Sequence, residues 1–188
     1  MSNIAFCLTG SYCTFAAVFP VIEELAVLHS VRTIFSQNAY GTDTRFGKAA
    51  DWLARAEKIT GNVPWHSIPE VEPIGPQKLF DLLIIAPCTG NTLGKLAGGI
   101  SDTAVTMAAK AHLRNECPLL LGVSTNDALS GSAENLGKLL GKRYIYFIPM
   151  RQDDALCKPR SLVADFSRTL AASESALRGE QIQPMLCA

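Results

Sequence analysis

The segment from Leu82 to Ala109 constrains the fold most, because it joins an apolar run to a polar turn and then to a helical pattern. Leu82, Leu83, Ile84, Ile85 and Ala86 have the character of a strand buried on both faces of a parallel sheet, which Pro87 is expected to stop. Cys88, Thr89, Gly90, Asn91 and Thr92 then place thiol, hydroxyl and amide groups at the carboxyl end of that strand. Open α/β sheets collect their ligands at such ends. Chemistry is expected there.

The flanking segments repeat the strand-then-helix pattern. Ile4 to Leu8 reads as a strand and Thr9 to Cys13 as a turn. Phe15 to Leu28 reads as a helix, with Phe15, Val18, Phe19, Ile22, Leu25 and Ala26 on one face. Val31 to Phe35 is a second strand, and Phe46 to Thr60 a helix ending at Gly61. Pro64, Pro69, Pro73 and Pro76 make 62–76 an irregular crossing. Beyond the central strand, Leu93 to Ala97 opens a helix that Gly98 and Gly99 end, and Ser101 or Asp102 caps another from Thr103 to Leu113. Leu119 to Val123 is a strand ending in Ser124, Thr125, Asn126 and Asp127. A helix from Ala133 to Leu140 and a last strand from Tyr144 to Ile148 follow. The alternation predicts a three-layer α/β/α fold, flavodoxin-like or Rossmann-like, with helices on both faces of a parallel sheet. One domain is expected over 1–188, with a C-terminal extension from about 150; 188 residues at 48% hydrophobic content fill one core.

Charge narrows the partners. Lys plus Arg equals Asp plus Glu at 17 each, so no net basic field attracts nucleic acid or an anionic membrane. Met1 to Ile22 is uncharged but lacks a basic start and is broken by Thr9-Gly10-Ser11, which suits a core strand and turn better than a signal peptide. No apolar stretch approaches the roughly 20 residues of a membrane span. The six cysteines contain no C-x-x-C pair and are expected to be reduced, as in a cytoplasmic protein.

Several residues carry a chemical and a structural alternative. Thr9-Gly10-Ser11 stands between a strand and a helix amino terminus, which suits a phosphate or a plain turn. Neither G-x-G-x-x-G nor a G-K-[ST] loop is present. Ser36 adds a hydroxyl at the same sheet edge. Thr89, Asn91 and Thr92 suit hydrogen bonding to a planar heterocycle, with Lys95 adding charge, or helix capping. Cys88 is a candidate nucleophile, although no adjacent His activates it, and a packed thiol is the simpler reading. Arg45 suits a bidentate carboxylate clamp, while Asp43 or Thr44 beside it suits a helix cap. Lys158 and Arg160 form a second cationic candidate or a solvated loop. His29, His66 and His112 lack metal-ligand spacing, so no metal is expected.

T-G-S after the first strand, Ser36 after the second and A-P-C-T-G-N-T-L-G-K-L-A-G-G-I-S-D over 86–102 resemble the flavoprotein family. That family includes pantothenoylcysteine decarboxylases, lantibiotic decarboxylases and flavin prenyltransferases. More narrowly, N-A-Y-G-T-D-T-R-F-G-K-A, E-P-I-G-P-Q-K-L-F-D, M-A-A-K-A-H-L-R-N, V-S-T-N-D-A-L and Q-I-Q-P resemble the B-subunit family of dipicolinate synthases. The resemblance spans nearly the whole chain. It implies a flavodoxin-like fold, self-association as a trimer, and FMN with its phosphate on Gly10, Ser11 and Ser36 and its ring facing Thr89, Asn91 and Thr92. Thr9, Pro87 and Lys95 complete the candidate cofactor-binding set, and Asn126 and Arg45 are the candidate catalytic residues.

The same resemblance implies a partner, the A-subunit of dipicolinate synthase, with its own NAD(P) site. It further implies oxidation of a dihydro- or hydroxytetrahydro-dipicolinate to dipicolinate during sporulation, in the mother-cell cytoplasm. The decarboxylases carry an H-I-E-L-R-x-W-A-D segment whose His acts as base, and Pro73 stands at that place here. Their P-A-M-N segment is Val123-Ser124-Thr125-Asn126 here, which retains only the Asn. Three functions compete: a flavin-bearing redox protein, a flavin-dependent decarboxylase or transferase, and a non-catalytic stabilising or regulatory component.

Overall fold

A computed structural model describes residues 1–187. In chain order the elements are β1 (Asn3–Leu8), α1 (Phe15–Leu28), β2 (Ser30–Phe35), α2 (Gln37–Gly41), α3 (Ala49–Thr60), α4 (Ile68–Val71), α5 (Ile74–Gln77) and β3 (Leu82–Cys88). After these come α6 (Gly90–Gly98), α7 (Ala104–Leu113), β4 (Leu119–Thr125), α8 (Ala133–Leu140), β5 (Ile145–Phe147), β6 (Met150–Asp154), β7 (Lys158–Ala164) and α9 (Thr169–Leu177). β2, β1, β3, β4 and β5 pair in parallel in that order. This is the flavodoxin-like order, whose connection reverses between β1 and β3 and leaves a crevice at their carboxyl ends.

Alternation along the strands divides the core. Leu82, Ile84 and Ala86 of β3 pack with Phe15, Phe19, Ile22 and Leu25 of α1, Ala56 of α3 and Ala172 and Ala176 of α9. Leu83 and Ile85 point to the other face, against Val71 of α4, Ile74 of α5, Leu93 of α6, Val105 and Ala108 of α7 and Leu139 of α8. Every residue of β3 is buried, as expected for a central parallel strand covered on both faces.

Six expectations are corrected. β3 does not stop at Pro87 but runs to Cys88. Pairing with β1 ends at Cys7 opposite Ile85, and the register toward β4 shifts between Ile85 and Cys88, so no ladder bond is demanded of a residue without an amide. α6 starts at Gly90 rather than Leu93, because Thr89 accepts a hydrogen bond from the Thr92 amide as N-cap. The next helix is capped by Thr103, not by Ser101 or Asp102. α3 starts at Ala49 rather than Phe46. Thr44 and Gly47 close a tight turn on each other first, and Gly47 has φ +139°, which favours glycine. The Pro-rich crossing holds the single-turn α4 and α5, the first with Pro69 in its opening turn, where a missing amide costs nothing.

The strand at Tyr144–Ile148 is the shorter β5 and is not the last. Residues after 150 form an antiparallel hairpin, β6 with β7. It joins the end of β4 through Ser124 opposite Val163 and Thr125 opposite Leu162. β4 thus pairs with β5 along its first half and with β7 at its tip, which carries the hairpin over the carboxyl edge of the sheet.

Candidate functional site

At that edge the loops after β1, β3 and β4 are cross-linked by side chains. Thr9, which is 1% exposed, donates its hydroxyl to the Pro87 carbonyl at 2.6 Å and accepts the Thr89 amide at 3.2 Å. The hydroxyls of Ser11 and Ser124 meet at 2.7 Å. Thr89 and Thr92 hydroxyls lie 3.1 Å apart at the start of α6. Ser36 caps α2 by accepting the Ala39 amide at 3.3 Å, and its own amide bonds the Leu8 carbonyl.

Two cavities open on this scaffold. The smaller, of 320 Å³, is lined by Thr9, Gly10, Ser36, Gln37, Asn38, Thr89, Asn91, Thr92, Lys95, Thr103 and Val105. The larger, of 610 Å³, is lined by Gly10, Ser11, Tyr12, Cys13, Thr14, Phe46, Thr89 and Ser124 to Asn126, and by Asp153, Lys158 and Ser161 to Val163 of the hairpin. Gly10 and Thr89 belong to both, so the cavities adjoin across the crevice between β1 and β3. Both sizes lie in the range of roughly 300–1,000 Å³ typical of small-molecule sites.

The sequence-derived candidates therefore converge, with two exceptions. Thr9, Gly10, Ser36, Thr89, Asn91, Thr92 and Lys95 share the smaller cavity, and Gly10, Ser11, Thr89 and Asn126 share the larger. Pro87 is buried beneath them, its carbonyl taken by Thr9. Arg45 is exposed and outside both linings, with its guanidinium 4.8 Å from the ring centre of Phe46, a rim residue of the larger cavity. Asp43 accepts the Ala49 amide at 2.8 Å, so it serves the first amide of α3 from the preceding turn, although the helix begins at Ala49 rather than Phe46 and its N-cap is Lys48.

Charge in the site is modest. Lys95 donates to both carboxylate oxygens of Asp102 at 2.8 and 3.0 Å, and this bond holds the Asp102 carboxyl below the usual carboxylate range. Lys158 pairs with Asp153, which raises the ammonium above its ordinary value. Cys88 is fully buried, and burial pushes its thiol far up, so it is a packed thiol rather than a nucleophile. All six cysteines are free.

Sequence reasoning missed Ser124 as the partner of Ser11, Phe46 at the rim, and Asp153 as the partner of Lys158 on the hairpin. Ser124 was signalled by its place in the polar run that ends β4. Of the hairpin pair, Lys158 stands out in the sequence beside Arg160 as a cationic candidate, whereas Asp153 carried no comparable signal, since only the fold brings it to the crevice.

The donor set fits FMN. Hydroxyls of Ser36, Thr89 and Thr92 with the amide of Asn91 surround the smaller cavity, and the first amides of α2 and α6 have no partner within their helices. The family profile described as Flavoprotein matches residues 1–141. The chain belongs to the flavoprotein family. Within it, the chain is 46% identical to the dipicolinate synthase B-subunit of Bacillus subtilis over 185 residues, 98% of this chain and 92% of that one. The crystal structure of the dipicolinate synthase B-subunit from Bacillus halodurans superposes with a TM-score of 0.92 at 40% identity, covering 100% of this chain and 96% of that one. The FMN-dependent cysteine decarboxylase SpaF shares the fold, with a TM-score of 0.68 at 21% identity over 94% of this chain and 96% of that one. The chain is thus a homologue of the dipicolinate synthase B-subunit, and no helix among its described residues is long and apolar enough to cross a membrane.

Proposed function

We propose that this chain is the FMN-binding component of a two-component dipicolinate synthase, working with the A-subunit of that enzyme during sporulation in the mother-cell cytoplasm. The observation that carries the proposal is the pair of adjoining cavities at the β1/β3 crevice, one rich in hydrogen-bonding groups and the other roofed by the β6–β7 hairpin. Ligands of flavodoxin-like sheets sit at this switch point.

Gly10, Ser11 and Ser36 hold the flavin phosphate, and Thr89, Asn91, Thr92 and Lys95 bond the polar groups of the cofactor. Thr9 and Pro87 act from beneath by fixing the β1 and β3 loops to each other. Asn126, on the wall of the larger cavity, orients a substrate carboxylate, and Arg45 above the rim residue Phe46 supplies positive charge for a second. Aromatising a dihydropyridine dicarboxylate removes two electrons and two protons, and the hydroxytetrahydro form also loses water. FMN held by these residues would supply a two-electron acceptor, and an NAD(P) site on the A-subunit would supply a second. The chain self-associates in this proposal, which light scattering checks as a mass above the monomer.

Cysteine decarboxylation is disfavoured by Pro73, which opens α5 where the decarboxylases carry their basic His and offers no proton-transfer group. The test is turnover in the reconstituted two-component complex with NAD(P), followed by dipicolinate absorbance. Dependence on FMN and a raised KM in Arg45→Ala are expected. Full turnover without flavin would assign this chain the stabilising or regulatory role instead.

A further inference from the structure

Asp127 lies one residue beyond Asn126, outside both cavity linings. Its Oδ1 accepts the Thr125 hydroxyl at 2.6 Å and the Ser132 hydroxyl at 2.9 Å. Ser132 is 3% exposed. Asp127's backbone carbonyl accepts the amides of Ser130 at 2.9 Å and Ser132 at 3.1 Å, and the Ser130 hydroxyl at 3.2 Å. One residue thus closes the turn that follows β4 through both side chain and backbone.

Against this cluster rests the first residue of α6. A Cβ on Gly90 would stand 2.7 Å from Thr125 Oγ1, 2.8 Å from Ser132 Oγ and 2.9 Å from Asp127 Oδ1, so only glycine lets the helix approach so closely. The amino end of α6 is capped by Thr89, not by the carboxylate, whose Oδ1 is occupied by the two hydroxyls. Hydrogen bonds to a charged acceptor are roughly twice as strong as neutral ones, which suits a carboxylate to gathering two donors on one oxygen. The same wall is sewn to the hairpin, since Ser161 donates to the Thr125 carbonyl at 3.3 Å and the Leu129 amide to the Arg160 carbonyl at 3.0 Å.

We infer that Asp127 is a positioning residue. By clamping Thr125 and Ser132 it holds the β4 wall of the larger cavity flush against Gly90, and so sets the separation of Thr89 from Asn126. The consequence for cofactor affinity rests on the proposed FMN site; the clamp itself does not.

The test uses the full chain, with FMN titrated by fluorescence quenching and amide hydrogen exchange measured without flavin over 89–93 and 124–132. Asp127→Ala is expected to weaken FMN about tenfold, equivalent to ~1.4 kcal/mol, and to speed exchange in both segments together. Asp127→Asn keeps an oxygen able to accept both hydroxyls and is expected to stay within about threefold of the wild type. Thr125→Val combined with Asp127→Ala should be no worse than either alone, the mark of one coupled unit. If Asp127→Ala fails to fold, Thr125→Val is read alone for the same joint rise in exchange. Unchanged exchange over 89–93 in the folded variants, or an Asn variant as damaged as the Ala variant, would overturn the clamp. A wild-type chain that binds no FMN would remove the cofactor site while the exchange measurement still decides the clamp.

Discussion

Ser11 Oγ, in the loop after β1, and Ser124 Oγ, in β4, meet at 2.7 Å although β3 lies between those two strands. The loop after β1 reaches over the end of β3 to the tip of β4, and so forms one continuous polar floor beneath the hairpin. A carboxylate at position 11 would face the proposed phosphate. Ser11→Asp is expected to weaken FMN binding at least about tenfold, while loss of the bond to Ser124 costs only about 1 kcal/mol of stability. Parallel flavin titration and thermal melts separate the two effects.

Gly122 in β4 faces Ala86 in β3 across the sheet. A Cβ there would stand 2.9 Å from the Ala86 Cβ, 3.1 Å from Ile148 Cδ1 and 3.3 Å from the Phe166 ring; the tightest contact is to a Cβ fixed to the β3 backbone, which no rotamer change relieves. Gly122→Ala is expected to cost about 1–3 kcal/mol by overpacking. That is a fall in Tm of roughly 2–4 °C per kcal/mol for a chain of this size, measurable by calorimetry.

The thiols divide by exposure. Cys13 and Cys157 are exposed, whereas Cys7 and Cys88 are fully buried with thiols raised by desolvation, Cys7 also by the neighbouring Cys88. With an aromatic disulfide at pH 8, Cys13 and Cys157 should label in a fast phase and Cys7 and Cys88 only on unfolding. Rapid labelling of Cys88 in the folded chain would revive it as a nucleophile.

His112 makes stability depend on pH. Its ring is 1% exposed and Nε2 bonds the Pro118 carbonyl at 2.9 Å, joining α7 to the start of β4. Burial lowers its pKa from 6.5 to about 4, against opposing effects of the Pro118 bond and Asp81. Between those values the unfolded chain binds the extra proton and the folded chain does not. The contribution is therefore complete above pH 6.5 and is lost as pH falls toward 4, with a slope of at most ~1.4 kcal/mol per pH unit. Denaturant titrations across that window should show the loss, reduced in His112→Gln.

Where burial writes the pattern, the fold was legible from residues alone. The apolar runs of β1 to β4 and the helical spacing of α1 and α8 marked those elements with bounds within about two residues, and the polar strand ends pointed to the crevice. β6 and β7 were not legible. Arg151, Gln152 and Asp153 and the stretch 155–160 are exposed, so no apolar alternation marks them, and what makes them strands is pairing with the tip of β4. α4 and α5 are single turns, too short to show a period. The site followed the same division: Ser36, Thr89 and Asn91 announced themselves at strand ends, while the approach of Ser124 to Ser11 and of Lys158 to the crevice exists only in three dimensions.

The most direct measurement is titration of FMN into the purified, flavin-free chain by fluorescence quenching, repeated with Ser36→Asp. Saturable binding of one FMN per chain, weakened at least about tenfold by the substitution, is predicted. No binding, alone or with the A-subunit present, would contradict the cofactor site and leave catalysis to the partner.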